Sequence, residues 1–120
     1  MYRVHELSVE SLVGAHISFP NRDRQVFEVL TSDNLHIYGS NVETRQVLVF
    51  QKSEVYQVAE LVDTSATRAM LKHEVFKKMK GGFSVLSLVA QSPNWEYFVN
   101  GQFEGSSDTE FKLLVNLCKP

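Results

Sequence analysis

The sequence contains one cysteine, Cys118, no Asn-x-Ser/Thr acceptor, no long hydrophobic run and no strong excess of either charge. A single thiol closes no intramolecular disulfide and supplies no Cys-rich zinc site. Secreted domains of this size often depend on disulfides, so the cysteine usage points to a reducing setting, with an intracellular, cytoplasmic location as the expectation. Met1 to Glu6 lacks a basic segment followed by an apolar one, so no signal peptide is expected. The longest strongly apolar stretches, such as residues 85–90, fall far short of the roughly 20 residues that span a bilayer. A formal net charge of -2 excludes a dominant attraction of the whole molecule to phosphate or anionic lipid, while leaving room for a local basic patch.

What the chain does have is ordinary globular composition, with 43% apolar and 22% charged residues in 120. That length suits one domain over residues 1–120 and is too short for two independent cores. Apolar residues in the first half recur at every second position, the period of half-buried strands. Ala15, Ile17 and Phe19 alternate with His16 and Ser18, and Pro20 to Asp23 then supplies turn formers. Strands follow over residues 24–31 and 35–38, separated by Ser32-Asp33-Asn34. Residues 46–51 and 55–62 are both rich in β-branched and aromatic side chains, and Lys52-Ser53-Glu54 between them has hairpin length, so these two strands are expected to pair.

At Asp63-Thr64-Ser65 the pattern changes to three candidate helix caps, followed by good helix formers over 66–80 and a stop at Gly81-Gly82. Ala69, Leu71, Val75, Phe76 and Met79 form the expected apolar face. Residues 83–91 read as a central strand covered on both faces. Trp95 to Val99, the Asn100-Gly101 turn and Gln102-Phe103 read as a hairpin. Ser107-Asp108-Thr109-Glu110 has capping-box spacing, and Phe111, Leu114, Val115 and Cys118 share one helical side, which favours a short C-terminal helix over a final strand. The expected class is therefore α+β, with about six to eight short strands in a mainly antiparallel sheet and a helix near 66–80 packed on it.

The inventory of chemistry is sparse. His5, His16, His36 and His73 form no metal-binding spacing, and no metal or cofactor is expected. His16 and His36 lie on the polar sides of their strands and could form a pH-sensitive patch. Cys118 sits in an apolar run, as a packed thiol would. No Gly-x-Ser-x-Gly elbow is present, Gly81-Gly82 follows a helix instead of opening one, and the carboxylates are dispersed.

Two surface features remain. Arg68, Lys72, Lys77, Lys78 and Lys80 crowd one helix against the single acid Glu74, which makes a candidate basic patch. Trp95, Tyr97, Phe98 and Phe103 put aromatic rings on both faces of one hairpin, more than so small a domain readily covers, which makes them the candidate partner-binding residues.

The leading expectation is a non-catalytic protein–protein interaction module, a subunit, adaptor or inhibitor, acting through a sheet edge and the hairpin 95–103. Its partner would be another protein or a second copy of itself. The alternative is a small barrel-like binder of single-stranded nucleic acid, using Tyr38, Phe50 or Tyr56 for stacking and Arg22, Arg24 and the helix lysines for phosphates. An enzyme with its site shared between subunits is the third reading.

Overall fold

The computed structural model describes residues 2–78, 86–91 and 93–120. Its order is β1 (Tyr2–Arg3), β2 (His16–Phe19), β3 (Gln25–Ser32), β4 (His36–Asn41), β5 (Val47–Gln51), α1 (Lys52–Val58), β6 (Glu60–Leu61), α2 (Ser65–Lys78), β7 (Leu86–Gln91), β8 (Asn94–Val99), β9 (Gln102–Ser107) and α3 (Glu110–Cys118). The fold is α+β, with a six-stranded antiparallel sheet in the order β1-β6-β2-β3-β4-β5 and a three-stranded one in the order β7-β8-β9.

The alternation in β2 to β5 puts Ile17, Phe19, Phe27, Val29, Ile37 and Phe50 on one fully buried face. That face is rolled. Phe19 and Phe50 stack at 4.5 Å between ring centroids, although two strands lie between β2 and β5. Three strand spacings in a flat sheet would hold their backbones about 14 Å apart. Phe27 meets both rings edge-on, at 5.8 and 5.0 Å. Gly39 makes the room: a Cβ there would lie 3.2 Å from Phe27 and 3.3 Å from Phe50. At the rim, the Arg22 guanidinium sits 5.3 Å from the Phe50 ring and pairs with Glu54 of α1 at 3.3 Å.

The expected hairpin between residues 46–51 and 55–62 does not form. The chain turns instead into α1, which crosses from β5 to β6, beside β2, and touches β1 on the way. Val55 and Ala59, four residues apart, fall on one side and are fully buried. Tertiary burial of that pair outweighs the strand preference of Val55, Tyr56 and Val58.

The expected face of α2 also needs correction. Leu71 and Val75 are buried, but so are Thr67, Met70 and Glu74, whereas Ala69 is exposed and Phe76 is 49% exposed; Met79 lies outside the described residues. Thr67 accepts a hydrogen bond from the His16 backbone N–H at 2.9 Å. The Glu74 carboxylate accepts from the backbone N–H groups of Glu10 and Ser11, at 3.3 and 3.0 Å. Both polar groups are buried because they tie α2 to the sheet and to the loop before β2.

The C-terminal helix forms as expected, with Phe111, Leu114, Val115 and Cys118 buried. Its cap is Thr109, whose Oγ1 accepts the Lys112 N–H at 3.1 Å, in place of Ser107. The Cys118 thiol lies against the Leu71 carbonyl of α2 at 3.9 Å. The supposed central strand over 83–91 is corrected too. Its described part, β7, is the outer strand of the small sheet, and Ser87, Ala90 and Gln91 are exposed; residues 83–85 lie outside the described residues.

Candidate interaction surfaces

Because α1 leaves β5 instead of folding back beside it, β5 ends the larger sheet with one side open among the described residues. Two bonds flanking the strand fix the phase of its ladder. The Asn41 N–H donates to the Gln46 carbonyl at 2.9 Å, and the Lys52 N–H to the Leu35 carbonyl at 2.8 Å. In antiparallel pairing such residues alternate, so Leu48 and Phe50 bond to β4 while the N–H and C=O groups of Val47 and Val49 and the N–H of Gln51 point outward, the Gln51 carbonyl serving as the N-cap of α1. Their side chains lie on the outer face, where Val47 is 54% and Val49 56% exposed. Tyr38 of β4 stands opposite Val49, and Leu30 of β3 adds further exposed apolar surface on the sheet.

Edge strands normally carry a charge, a proline or a bulge, or are very short, which discourages pairing with other chains. β5 is Val-Leu-Val-Phe-Gln, with an unbroken register against β4 and none of these devices. Two of the other three edges among the described residues differ, whereas β7, Leu-Ser-Leu-Val-Ala-Gln, is likewise uncharged and in unbroken register with β8. β1 has two residues, and β9 carries Glu104 and a register shift opposite Tyr97 and Phe98.

A cavity of about 610 Å³ opens at the end of β5. The β3–β4 turn contributes Asn34, Leu35 and His36, and the start of α1 contributes Lys52, Ser53 and Tyr56, with Gln51 between them. Asp33 organises this turn. One of its oxygens accepts the Leu35 and His36 N–H groups at 2.8 and 2.7 Å, and the other accepts the Tyr38 hydroxyl at 3.2 Å. The two N–H bonds are the main cause that holds the Asp33 carboxyl below its ordinary value. The Lys52 ammonium donates to the Asp33 carbonyl at 3.1 Å, and burial raises the Tyr56 hydroxyl above its ordinary value.

His36, which lines this cavity, has its Nδ1 3.3 Å from Asp33 Oδ1. Ser53 lines the same space with no hydrogen bond to His36, so nucleophile and base are not assembled. His16 stands opposite Glu28 and, one strand further, Ser40, four residues from His36; the two histidines do not meet.

The hairpin is built as its sequence suggests, with Asn100 and Gly101 at φ 53° and 82°. Tyr97 and Val99 face inward with Leu88 and pack against the core. Gly105 lies directly under the Tyr97 ring, where a Cβ would come within 2.6 Å of Cε1. Phe98 and Phe103 meet edge-on at 5.9 Å on the other face, with Phe103 57% exposed. Trp95 is half-buried. The four aromatics thus divide between two faces, with Phe98 and Phe103 as the outward pair.

The described basic side chains of α2, those of Arg68, Lys72 and Lys77, are not gathered either. Arg68 pairs with Asp63 at 2.9 Å and, with Lys72, meets Glu110 of α3 at 3.7 and 3.3 Å. Lys77 instead holds Glu10 at 2.8 Å, a bond that lowers the Glu10 carboxyl and raises the Lys77 ammonium. Lys80 lies outside the described residues. No cluster of three or more metal-ligating side chains occurs among the described residues, and no helix there is long and apolar enough to cross a membrane. Comparison of the chain with protein-family models, curated proteins and solved structures finds no match.

Sequence pattern alone does not single out the outward residues Val47 and Val49. The available signal is the uncharged run between Arg45 and Lys52. Expecting residues 55–62 to pair with it conceals the open edge.

Proposed function

We propose that this chain is a non-catalytic protein–protein interaction module, a subunit, adaptor or inhibitor, that accepts an extended strand along the open side of β5. The outward Phe98–Phe103 face of the hairpin provides a second contact. The observation that carries this reading is a five-residue uncharged edge with outward backbone groups at Val47, Val49 and Gln51 and two exposed valines beside them. Strand addition draws affinity from backbone hydrogen bonds and specificity from alternate side chains. Stacking of nucleic-acid bases has less support, because Phe50 is buried in the aromatic cluster and Arg22 is engaged with Glu54.

The test is gentle affinity purification of the wild type and of Val49→Pro from the same cells, followed by native mass spectrometry. Proline at an outward-facing edge position removes no bond to β4, so the variant should remain folded by circular dichroism while losing the assembly. Wild-type protein recovered only as a free single chain, or Val49→Pro retaining the whole assembly, overturns the reading.

A further inference from the structure

We infer that the cavity between the β3–β4 turn and α1 binds a small organic acid, with its carboxylate held by Lys52 and its apolar body laid against Leu35 and Tyr56. This goes beyond the strand-addition reading, because Val47 and Val49 take no part in it. At about 610 Å³ the space has the size of a small-molecule site. Its polar lining is also unengaged. The side chains of Asn34, Gln51, Ser53 and Tyr56 make no hydrogen bond to another described residue, which leaves donors and acceptors around one space for a ligand to use.

Charge decides the class of ligand. Among the described lining residues, Lys52 and His36 are the basic groups and none is acidic. The acids beside the cavity are engaged elsewhere. Asp33 takes the Leu35 and His36 N–H groups and the Tyr38 hydroxyl, Glu54 pairs with Arg22, and Glu74 holds the loop before β2. The Lys52 ammonium donates to the neutral Asp33 carbonyl at 3.1 Å and forms no ion pair with a described carboxylate. That bond holds the ammonium in place and leaves it two further donors. Burial raises the Tyr56 hydroxyl, which keeps it protonated and able to donate to a carboxylate. α1 has only seven residues, so its backbone adds little and the Lys52 side chain carries the recognition of charge.

The wall also asks for an apolar body. Leu35 is 70% exposed, more than any other large apolar side chain among the described residues. It is held there by the Asp33 bond to its backbone N–H at 2.8 Å. Covering it, together with the Tyr56 ring, removes apolar surface from water, which favours a carboxylate on an aromatic or branched aliphatic body over a bare inorganic anion.

Two-dimensional NMR titration of the full chain with 4-phenylbutyrate tests this, beside its neutral amide, 4-phenylbutanamide, and acetate, which has the charge without the body. Saturable shifts centred on residues 34–36 and 51–56 are expected for 4-phenylbutyrate, with a dissociation constant on the order of 0.1–1 mM. The amide and acetate should each bind at least about 10-fold more weakly. Lys52→Met should erase the preference for acid over amide, and Leu35→Ser should weaken both by about 3- to 10-fold. An absence of saturable shifts at those residues up to about 20 mM acid, equal binding of acid and amide by the wild type, or a Lys52→Met variant that keeps the preference overturns the inference. The titration is read on the free chain, so failure of strand addition at β5 would leave its result standing.

Discussion

The two sheets treat their aromatic residues in opposite ways. In the larger one, Phe19, Phe27 and Phe50 lie at most 2% exposed, gathered by the roll of the sheet over Gly39. In the smaller one, every residue from Trp95 to Val99 remains half-buried and Phe103 is 57% exposed. The larger sheet is closed inward and presents Val47 and Val49 to solvent at the edge of β5. The smaller sheet rests one face, through Leu88, Tyr97 and Val99, on the core and leaves the other to solvent. Similar residue types thus hold the fold together in one place and form surface in the other.

Substitutions should separate the two regions. Phe27→Ala removes a ring packed against two others and should cost about 3–5 kcal/mol in chemical denaturation; a loss below about 1 kcal/mol would mean that the aromatic cluster is not a close-packed core. Gly105→Ala forces the Tyr97 ring away from β9 and should cost about 1–2 kcal/mol, with amide exchange accelerating over residues 94–107 and not over β2 to β4. Acceleration in both sheets would show that they open as one unit. Phe103→Ser should cost about 0.5–1.5 kcal/mol, the worth of its edge-on contact with Phe98, because more than half of the ring is already in water.

The smallest effect belongs to Asp33. Its folded-state pKa is depressed, chiefly by the Leu35 and His36 N–H groups, so the stability it contributes is present above its ordinary value and lost as pH falls through the lower folded value. The stability difference between wild type and Asp33→Asn should therefore be constant near neutral pH and shrink once the pH drops below about 4. A difference that grows on acidification contradicts the assignment of the Asp33 bonds.

Much of this architecture can be read from the chain. The alternation of Ala15, Ile17 and Phe19, the turn at Asn100-Gly101, and the apolar stripe of α3 each follow from a local period or local turn chemistry. What escapes is decided at long range. Glu74 is buried because its partners are backbone N–H groups of Glu10 and Ser11, more than 60 residues away in sequence. Val55, Tyr56 and Val58 favour a strand by type, yet the chain must travel from β5 to a place beside β2, and a helix both makes that crossing and buries Val55 with Ala59. The same misreading pairs residues 55–62 with β5 and so hides the candidate site. The outward aromatic pair is legible as a surplus of rings; which ring faces out depends on Gly105 and on the register shift beside it.

The open edge of β5 is tested most directly by residue-resolved amide exchange of the chain at high dilution, where self-association is negligible. The amides of Val47, Val49 and Gln51 should exchange fast and those of Leu48 and Phe50 slowly, an alternation set by which backbone groups reach β4. Slow exchange at all five positions in the dilute monomer would mean that the edge is already covered, and would contradict the account.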